Sequence, residues 1–208
     1  MTVYAVADAE ALDPRPLPEA VGDMAESGIR WIQLRGKRLS GGSWYRVLEG
    51  CLRILEGSGV ELWVDDRADL AALFPVQGVH LGQSDLPPVA ARRVVGGGVR
   101  IGLSTHDARQ LAAADADPEV DVIAVGPVFA TVSKAQPDPV VGLSFVARAR
   151  LRTSKRLVAI GGIDAGNIAE VLAAGADAAA VLGAVCRGNL RANCRRLLAA
   201  AARECASS

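Results

Sequence analysis

The sequence predicts an α/β fold, a minimal (β/α)8 TIM barrel that takes the whole chain, 1–208, as one domain. Three observations predict it. Eight short runs rich in Val, Ile and Leu alternate strictly with eight stretches of helical periodicity. Each run is apolar with little interruption, as strands buried on both faces are. The G-x-G-x-x-G turn of the rival open, doubly wound sheet is missing after Val6. Alternation repeated in this way closes a barrel. At 208 residues the chain lies near the lower end for that fold, for which about 250 is typical.

The runs lie at 2–6, 30–34, 61–65, 76–81, 99–103, 121–125, 156–160 and 177–182. The helical stretches lie at 17–28, 43–56, 67–74, 88–95, 106–114, 143–151, 164–174 and 189–203. In the stretch 43–56 the apolar positions are Leu48, Leu52, Ile54 and Leu55. Asp164 stands where an N-cap would open the seventh helix, and Gly175 where a C-terminal glycine would end it. Gly96-Gly97-Gly98 joins a helix to the next strand and reads as a structural turn, because a phosphate loop would follow a strand and open a helix.

Composition excludes several classes of function. Lys and Arg number 23 against 23 Asp and Glu, so a broadly basic surface for nucleic acid or an anionic membrane is not expected. Half the residues are apolar, which excludes disorder. Cys51, Cys186, Cys194 and Cys205 form no C-x-x-C pair, so neither a disulfide framework nor a zinc site is expected. No stretch reads as a secretory leader or a membrane span. These features predict a cytoplasmic protein whose partners are small molecules. The oligomeric state stays open, a homo-oligomer included.

A barrel of this type does its chemistry at the C-terminal ends of the strands. There the sequence places Gln33, Arg35 and Lys37, then Asp65-Asp66-Arg67, then His80 to Asp85, then Ser104-Thr105-His106. The loop containing Thr131, Ser133 and Lys134 follows, and then Gly161-Gly162 and Leu182-Gly183. Alternation sends Gln33 and Arg35 to one face. Each residue also has a plainer reading. Arg35 and Lys37 alone would be solvated charges, and Asp66 or Asp85 could cap the helix that follows. Gathered at one mouth they suggest binding. Bare glycine backbone after the last two strands suits a phosphate. Arg35, Lys37 and Lys134 suit a second anionic group. Asp66 and Asp85 come from neighbouring strands, about 4.8 Å apart, and two carboxylates with phosphate oxygens suit Mg2+. Ser104 and His106 lack a nucleophile elbow, which argues against a hydrolase. His80 reads as a packed structural residue. His106 reads equally as a helix cap or as a substrate contact.

Together these residues resemble a known family. Gln33-Leu34-Arg35-x-Lys37, Asp65-Asp66-Arg67, HLGQ-x-D at 80–85, Ser104-Thr105-His106, GPVF-x-T-x-S-K at 126–134 and AIGGI at 159–163 are similar to the motifs of the thiamine-phosphate synthases. The resemblance runs from about Tyr4 to Arg203. It implies condensation of 4-amino-2-methyl-5-hydroxymethylpyrimidine diphosphate with thiazole phosphate. The products are thiamine phosphate and pyrophosphate, and the reaction is Mg2+-dependent and passes through a pyrimidine-methyl cation. It implies that Gln33, Arg35, Lys37, Ser104 and Lys134 meet the pyrimidine diphosphate, with Lys134, Ser104 and Arg35 the catalytic set. Asp66 and Asp85 then bind the metal, and Asp65 lies beside the substrate. Thr131, Ser133, Gly162, Leu182 and Gly183 hold the thiazole phosphate. The chain departs from the family at three places: Asp65 replaces a usual Asn, Gly183 a frequent Ser, and Gly36 a common Glu. Two alternatives stay open. A thiazole tautomerase of the same fold would use His106 as its acid–base group, and a non-catalytic barrel would bind thiamine phosphate without turnover.

Overall fold

The structure is a computed structural model and describes residues 2–131 and 138–205, with the side chains of 204 and 205 left out. Eight parallel strands close into a barrel in chain order, the last pairing with the first. They are β1 (Val3–Asp8), β2 (Trp31–Arg35), β3 (Glu61–Asp65), β4 (Gly78–Leu81), β5 (Arg100–Thr105), β6 (Val122–Val125), β7 (Arg156–Ile160) and β8 (Ala178–Val181). The helices are α1 (Ala9–Leu12), α2 (Leu17–Glu26), α3 (Gly41–Leu55), α4 (Ala68–Leu73), α5 (Pro88–Val95), α6 (Ala108–Ala116), α7 (Leu143–Arg152), α8 (Ile168–Ala173), α9 (Gly183–Cys186) and α10 (Leu190–Cys205). The two four-residue helices α1 and α9 are additional to the eight expected.

Several local expectations need correction. Helix α3 opens at Ser40, whose hydroxyl accepts from the Ser43 N–H at 3.2 Å. It buries Trp44, Leu48, Cys51 and Leu55, while Ile54 faces solvent. Asp164 does not cap α8. Its Oδ1 accepts from the Gly166 N–H at 2.7 Å and so shapes the turn before that helix. Gly175, at φ 105°, does end the helix as expected.

The core has two layers. The larger one lies between the strands and the helices, where Leu34, Val64, Val79, Leu81, Ile101, Ile123 and Leu157 face outward into helix side chains. The smaller one fills the barrel itself and consists of Tyr4, Trp31, Trp63, Val122, Ala124, Val158, Ala178 and Ala180. Tyr4 stacks on Trp31 with ring centroids 3.9 Å apart, and Trp31 meets Trp63 edge-on at 5.5 Å. The small residues exist because the rings do. A Cβ on Gly78 would lie 2.5 Å from the Trp63 ring. The Arg156 guanidinium lies 4.0 Å from the Trp31 ring centroid, at the first residue of β7. The N-terminal half of the barrel is therefore closed by rings, and the C-terminal half is left for polar groups.

Candidate active site

Strand register decides which side chains meet. Tyr4 pairs with Trp31, Val6 with Gln33 and Asp8 with Arg35. Gln33 pairs with Trp63, Asp65 with His80, His80 with Gly102, and Ser104 with Ala124. With a side-chain period of two, these residues all face the barrel axis. Tyr4, Val6, Gln33, Arg35, Asp65, His80, Ser104 and Ala124 among them line a cavity of about 850 Å3 that also takes in the loops at the C-terminal ends. Its walls include Gln33, Arg35, Lys37, Asp65, Asp66, Asp85, Ser104, Thr131, Gly162, Leu182 and Gly183. Every expected site residue among the described residues thus lies on one surface. Ser133 and Lys134 lie outside the described residues.

One arc of the cavity is a dense charge network. Arg35 Nη1 donates to the Asp8 carboxylate, and its Nε lies 3.5 Å from Asp65 Oδ2. Lys37 Nζ donates to Asp66 and lies 3.3 Å from Asp65. Glu10 Oε2 also lies 3.9 Å from Arg35, so four carboxylates share two cations. Burial, reinforced by the neighbouring Asp66 charge, pushes the Asp65 carboxyl up to about 7 despite both cations. Asp66 is raised by burial and by the neighbouring Asp85 carboxyl, against the lowering effect of the Lys37 ammonium. Two carboxyl groups facing one another in this way need a proton or a cation between them.

Neither of these aspartates caps a helix. The residue before α4 is Arg67 and the one before α5 is Pro87, and neither helix has a side-chain cap. Asp66 instead sits at φ 60°, a left-handed conformation costly for a residue with a Cβ, with its N–H donating to the His80 carbonyl at 2.8 Å. Asp85 Oδ2 accepts from the Gly82 N–H at 2.7 Å, and a Cβ at Gly82 would lie 2.9 Å from the same oxygen and push the carboxylate aside. Among the described residues there is no cluster of three or more His, Cys, Asp or Glu that could hold a metal. Mg2+ does not need one, because it takes one or two carboxylates and fills its shell with water and substrate phosphate oxygens.

The opposite arc is backbone. Gly161 and Gly162 follow β7 at φ 103° and 64°. A Cβ on Gly162 would lie 2.5 Å from the Ala130 carbonyl oxygen, so the loop after β6 seats directly on bare glycine. Asn167 Nδ2 donates to the Gly162 carbonyl at 3.0 Å and fixes the strand end. Gly183 opens α9 directly after Leu182. This is the region where barrels of this type commonly take a phosphate. The loss of the frequent Ser at Gly183 leaves the backbone N–H in place. Gly36, in place of a common Glu, is explained by Leu39, whose side chain would lie 2.6 Å from a Cβ there.

Sequence reasoning missed Tyr4 and Arg187 as wall residues and read His80 as packing alone. Tyr4, inward from β1, accepts from Gln33 Nε2 at 3.0 Å, and burial raises its phenol well above the usual range. His80, expected to be structural, is buried but also lines the cavity, with Nε2 2.9 Å from Ser104 Oγ. Burial lowers its imidazole to about 4. Gln83 Nε2 donates to the Ser104 carbonyl at 2.6 Å. His106 is not the helix cap, since that task falls to Asp107. Its Nδ1 lies 2.7 Å from the Gly126 carbonyl oxygen and its Nε2 3.6 Å from Asp138. Arg187, at the end of α9, adds a cation beside Gly183. The alternation that placed Gln33 and Arg35 inward also places Tyr4 and His80 inward, so that signal was available.

The cavity sets charged side chains on one arc against bare glycine backbone on the other, and comparison with known proteins identifies the family. The profile of the family described as thiamine monophosphate synthase matches residues 3–185. The chain belongs to that family. A thiamine-phosphate synthase of Koribacter versatilis is 42% identical over 186 residues, 86% of each chain. One from Pelotomaculum thermopropionicum is 44% identical over 167 residues, 79% of this chain and 75% of its own. The solved thiamine phosphate pyrophosphorylase of Pyrococcus furiosus superposes with a TM-score of 0.87 at 27% identity, over 98% of this chain and 96% of that one. A closed (β/α)8 barrel is what the topology and this neighbour both give. Among the described residues no helix is long and apolar enough to cross a membrane.

Proposed function

We propose that the chain is a Mg2+-dependent thiamine-phosphate synthase, a transferase acting on two phosphorylated small molecules in the cytoplasm. One observation carries this reading. In a member of this family, a single cavity sets cations and paired carboxylates on one arc and bare glycine backbone on the other. A cavity of about 850 Å3 suits two such substrates together.

In this reading the pyrimidine lies on the aromatic floor near Tyr4 and Gln33, with its diphosphate toward Arg35, Lys37 and Ser104. Asp66 and Asp85 would hold Mg2+, and when bound the ion offsets the charge of the departing pyrophosphate. The methylene C–O bond breaks with its electron pair leaving on the pyrophosphate, and the thiazole nitrogen supplies the pair for the new C–N bond. Arg35 and Lys37 stabilise the growing negative charge, and Ser104 donates to it. Lys134 joins them from the loop after β6. Thr131, Ser133, Gly162, Leu182 and Gly183 hold the thiazole phosphate, so the nitrogen waits at the methylene carbon. Asp65, whose carboxyl burial pushes up to about 7, stands where the family usually places an amide and gives up charge more readily than an ordinary carboxylate.

The test is product formation. Folded protein mixed with both substrates and Mg2+ should release thiamine phosphate and pyrophosphate in equal amounts. Absence of both with well-folded protein overturns the reading. His106 in the cavity favours the tautomerase alternative, which predicts isomerisation of a thiazole carboxylate phosphate without any pyrimidine substrate. The relatives described above carry the synthase name. A barrel that only binds would show saturable thiamine phosphate binding and no turnover.

A further inference from the structure

The reaction as described gives His80 no task, yet the ring is buried in the wall of the cavity. Only one of its nitrogens has a partner. Nε2 lies 2.9 Å from Ser104 Oγ. Nδ1 is buried without a hydrogen-bond partner. It faces Gly102, where a Cβ would lie 2.5 Å away, so the ring occupies the space that the missing side chain leaves. A proton on Nδ1 would be a buried donor aimed at a Cα–H. A lone pair there is cheaper, because it meets the Cα–H as a weak acceptor and because under-satisfied acceptors are tolerated better than orphan donors. A doubly protonated ring would bury an extra N–H on a cation and is worse still. The remaining proton therefore sits on Nε2 and is donated to Ser104. A hydroxyl has one proton and two lone pairs. Once Oγ accepts from His80, its own O–H is released toward the cavity.

We propose that His80 is a positioning residue, an Nε2-protonated neutral imidazole that makes the Ser104 hydroxyl a hydrogen-bond donor to the departing diphosphate. This rests on the reading above in which Ser104 meets the diphosphate. The opposite tautomer would accept the Ser104 proton and turn a lone pair toward an anion. Gly102 is then the residue that sets the tautomer, by giving Nδ1 nothing to bond with.

The first test needs no turnover. The chain has two histidines, so 15N spectra of His-labelled protein resolve two rings, and His106→Asn assigns them. His80 should show a proton on Nε2 and none on Nδ1. A proton on Nδ1, or on both, overturns the proposal. The second test is kinetic. Loss of one preorganised donor lowers kcat by about 10²–10³-fold, and Ser104→Ala should do so. His80→Phe should match it within about threefold and add less than that in the Ser104→Ala background, because the two act as one donor. His80→Gln, which keeps an N–H near the Nε2 position, should stay within about tenfold of wild type, with KM for the thiazole phosphate unchanged. Melting temperatures establish that each variant is folded. Multiplying effects in the double variant, or folded His80→Gln no faster than His80→Phe, overturn the proposal. Wild-type turnover by Ser104→Ala would instead overturn the Ser104 assignment, and the spectra would still judge the tautomer on their own.

Discussion

The two halves of the barrel interior are built from the same strands, often from residues two apart, and they are opposites. Trp31 precedes Gln33 and Arg35 on β2, Trp63 precedes Asp65 on β3, and Gly78 precedes His80 on β4. The N-terminal half is ring against small residue, with Tyr4, Trp31 and Trp63 filling what Gly78, Gly102, Ala178 and Ala180 leave open. The C-terminal half crowds Asp8, Asp65 and Asp66 around two cations and holds Asp66 at a positive φ. The floor is ring packing whose cost is limited to the unpartnered indole N–H groups of Trp31 and Trp63, whereas the mouth accepts backbone strain and like-charge proximity. A substrate and a metal ion would relieve that proximity, which explains why a site can be costly to its own fold.

Substitutions in each half should separate the two roles. The largest effect expected is on the floor. Trp63→Ala removes a fully buried ring and should cost about 3–5 kcal/mol in chemical denaturation. Activity per folded molecule should fall far less than stability does. A small loss of stability would break the comparison.

At the mouth the effects should reverse. Asp66→Gly deletes one of two facing carboxyls and places the residue best suited to φ 60° there. Turnover should fall by about 10²–10³-fold, while stability rises by about 1 kcal/mol. A variant that loses stability along with activity would contradict the account of strain.

A smaller effect returns to the floor. Gly78→Ala forces a methyl against the Trp63 ring and should cost about 1–3 kcal/mol. No change in stability would mean that the ring is free to move.

The last comparison is one of pH dependence and sharpens the electrostatics of Asp65. Its carboxyl is raised to about 7 in the fold from 3.8, so its contribution to stability is complete below about 4 and is lost as pH rises through 7. Asp65→Asn does not titrate. Its melting temperature relative to wild type should therefore climb between pH 4 and 8. The opposite slope would mean that Arg35 and Lys37 hold Asp65 ionised.

Alternation carried most of this structure in the sequence. Eight apolar runs gave strands within a residue or two, because a run buried on both faces has few other readings. The short helices α1 and α9 were hidden, since four residues are too few to show a period. Asp164 was misplaced because an aspartate that shapes a turn looks like one that caps a helix. Asp66 and Asp85 were ambiguous for the same reason, and the family motifs inclined the reading toward a site. The contact between His80 and Ser104 spans 24 residues and depends on the β4–β5 register, which no local pattern encodes. Motifs alone also gave no hint that Gly78 and Gly102 are fixed by the rings beside them.

The most direct test of the whole account is the Mg2+ dependence of thiamine phosphate formation, measured for wild type and Asp85→Ala at matched folded concentration. Wild type should turn over only with the metal and saturate as Mg2+ rises. Asp85→Ala should be slower by about 10²-fold or more, need far more Mg2+, and still bind thiazole phosphate. Equal rates and equal Mg2+ dependence in the two proteins would contradict the assignment of the mouth as the metal-assisted site.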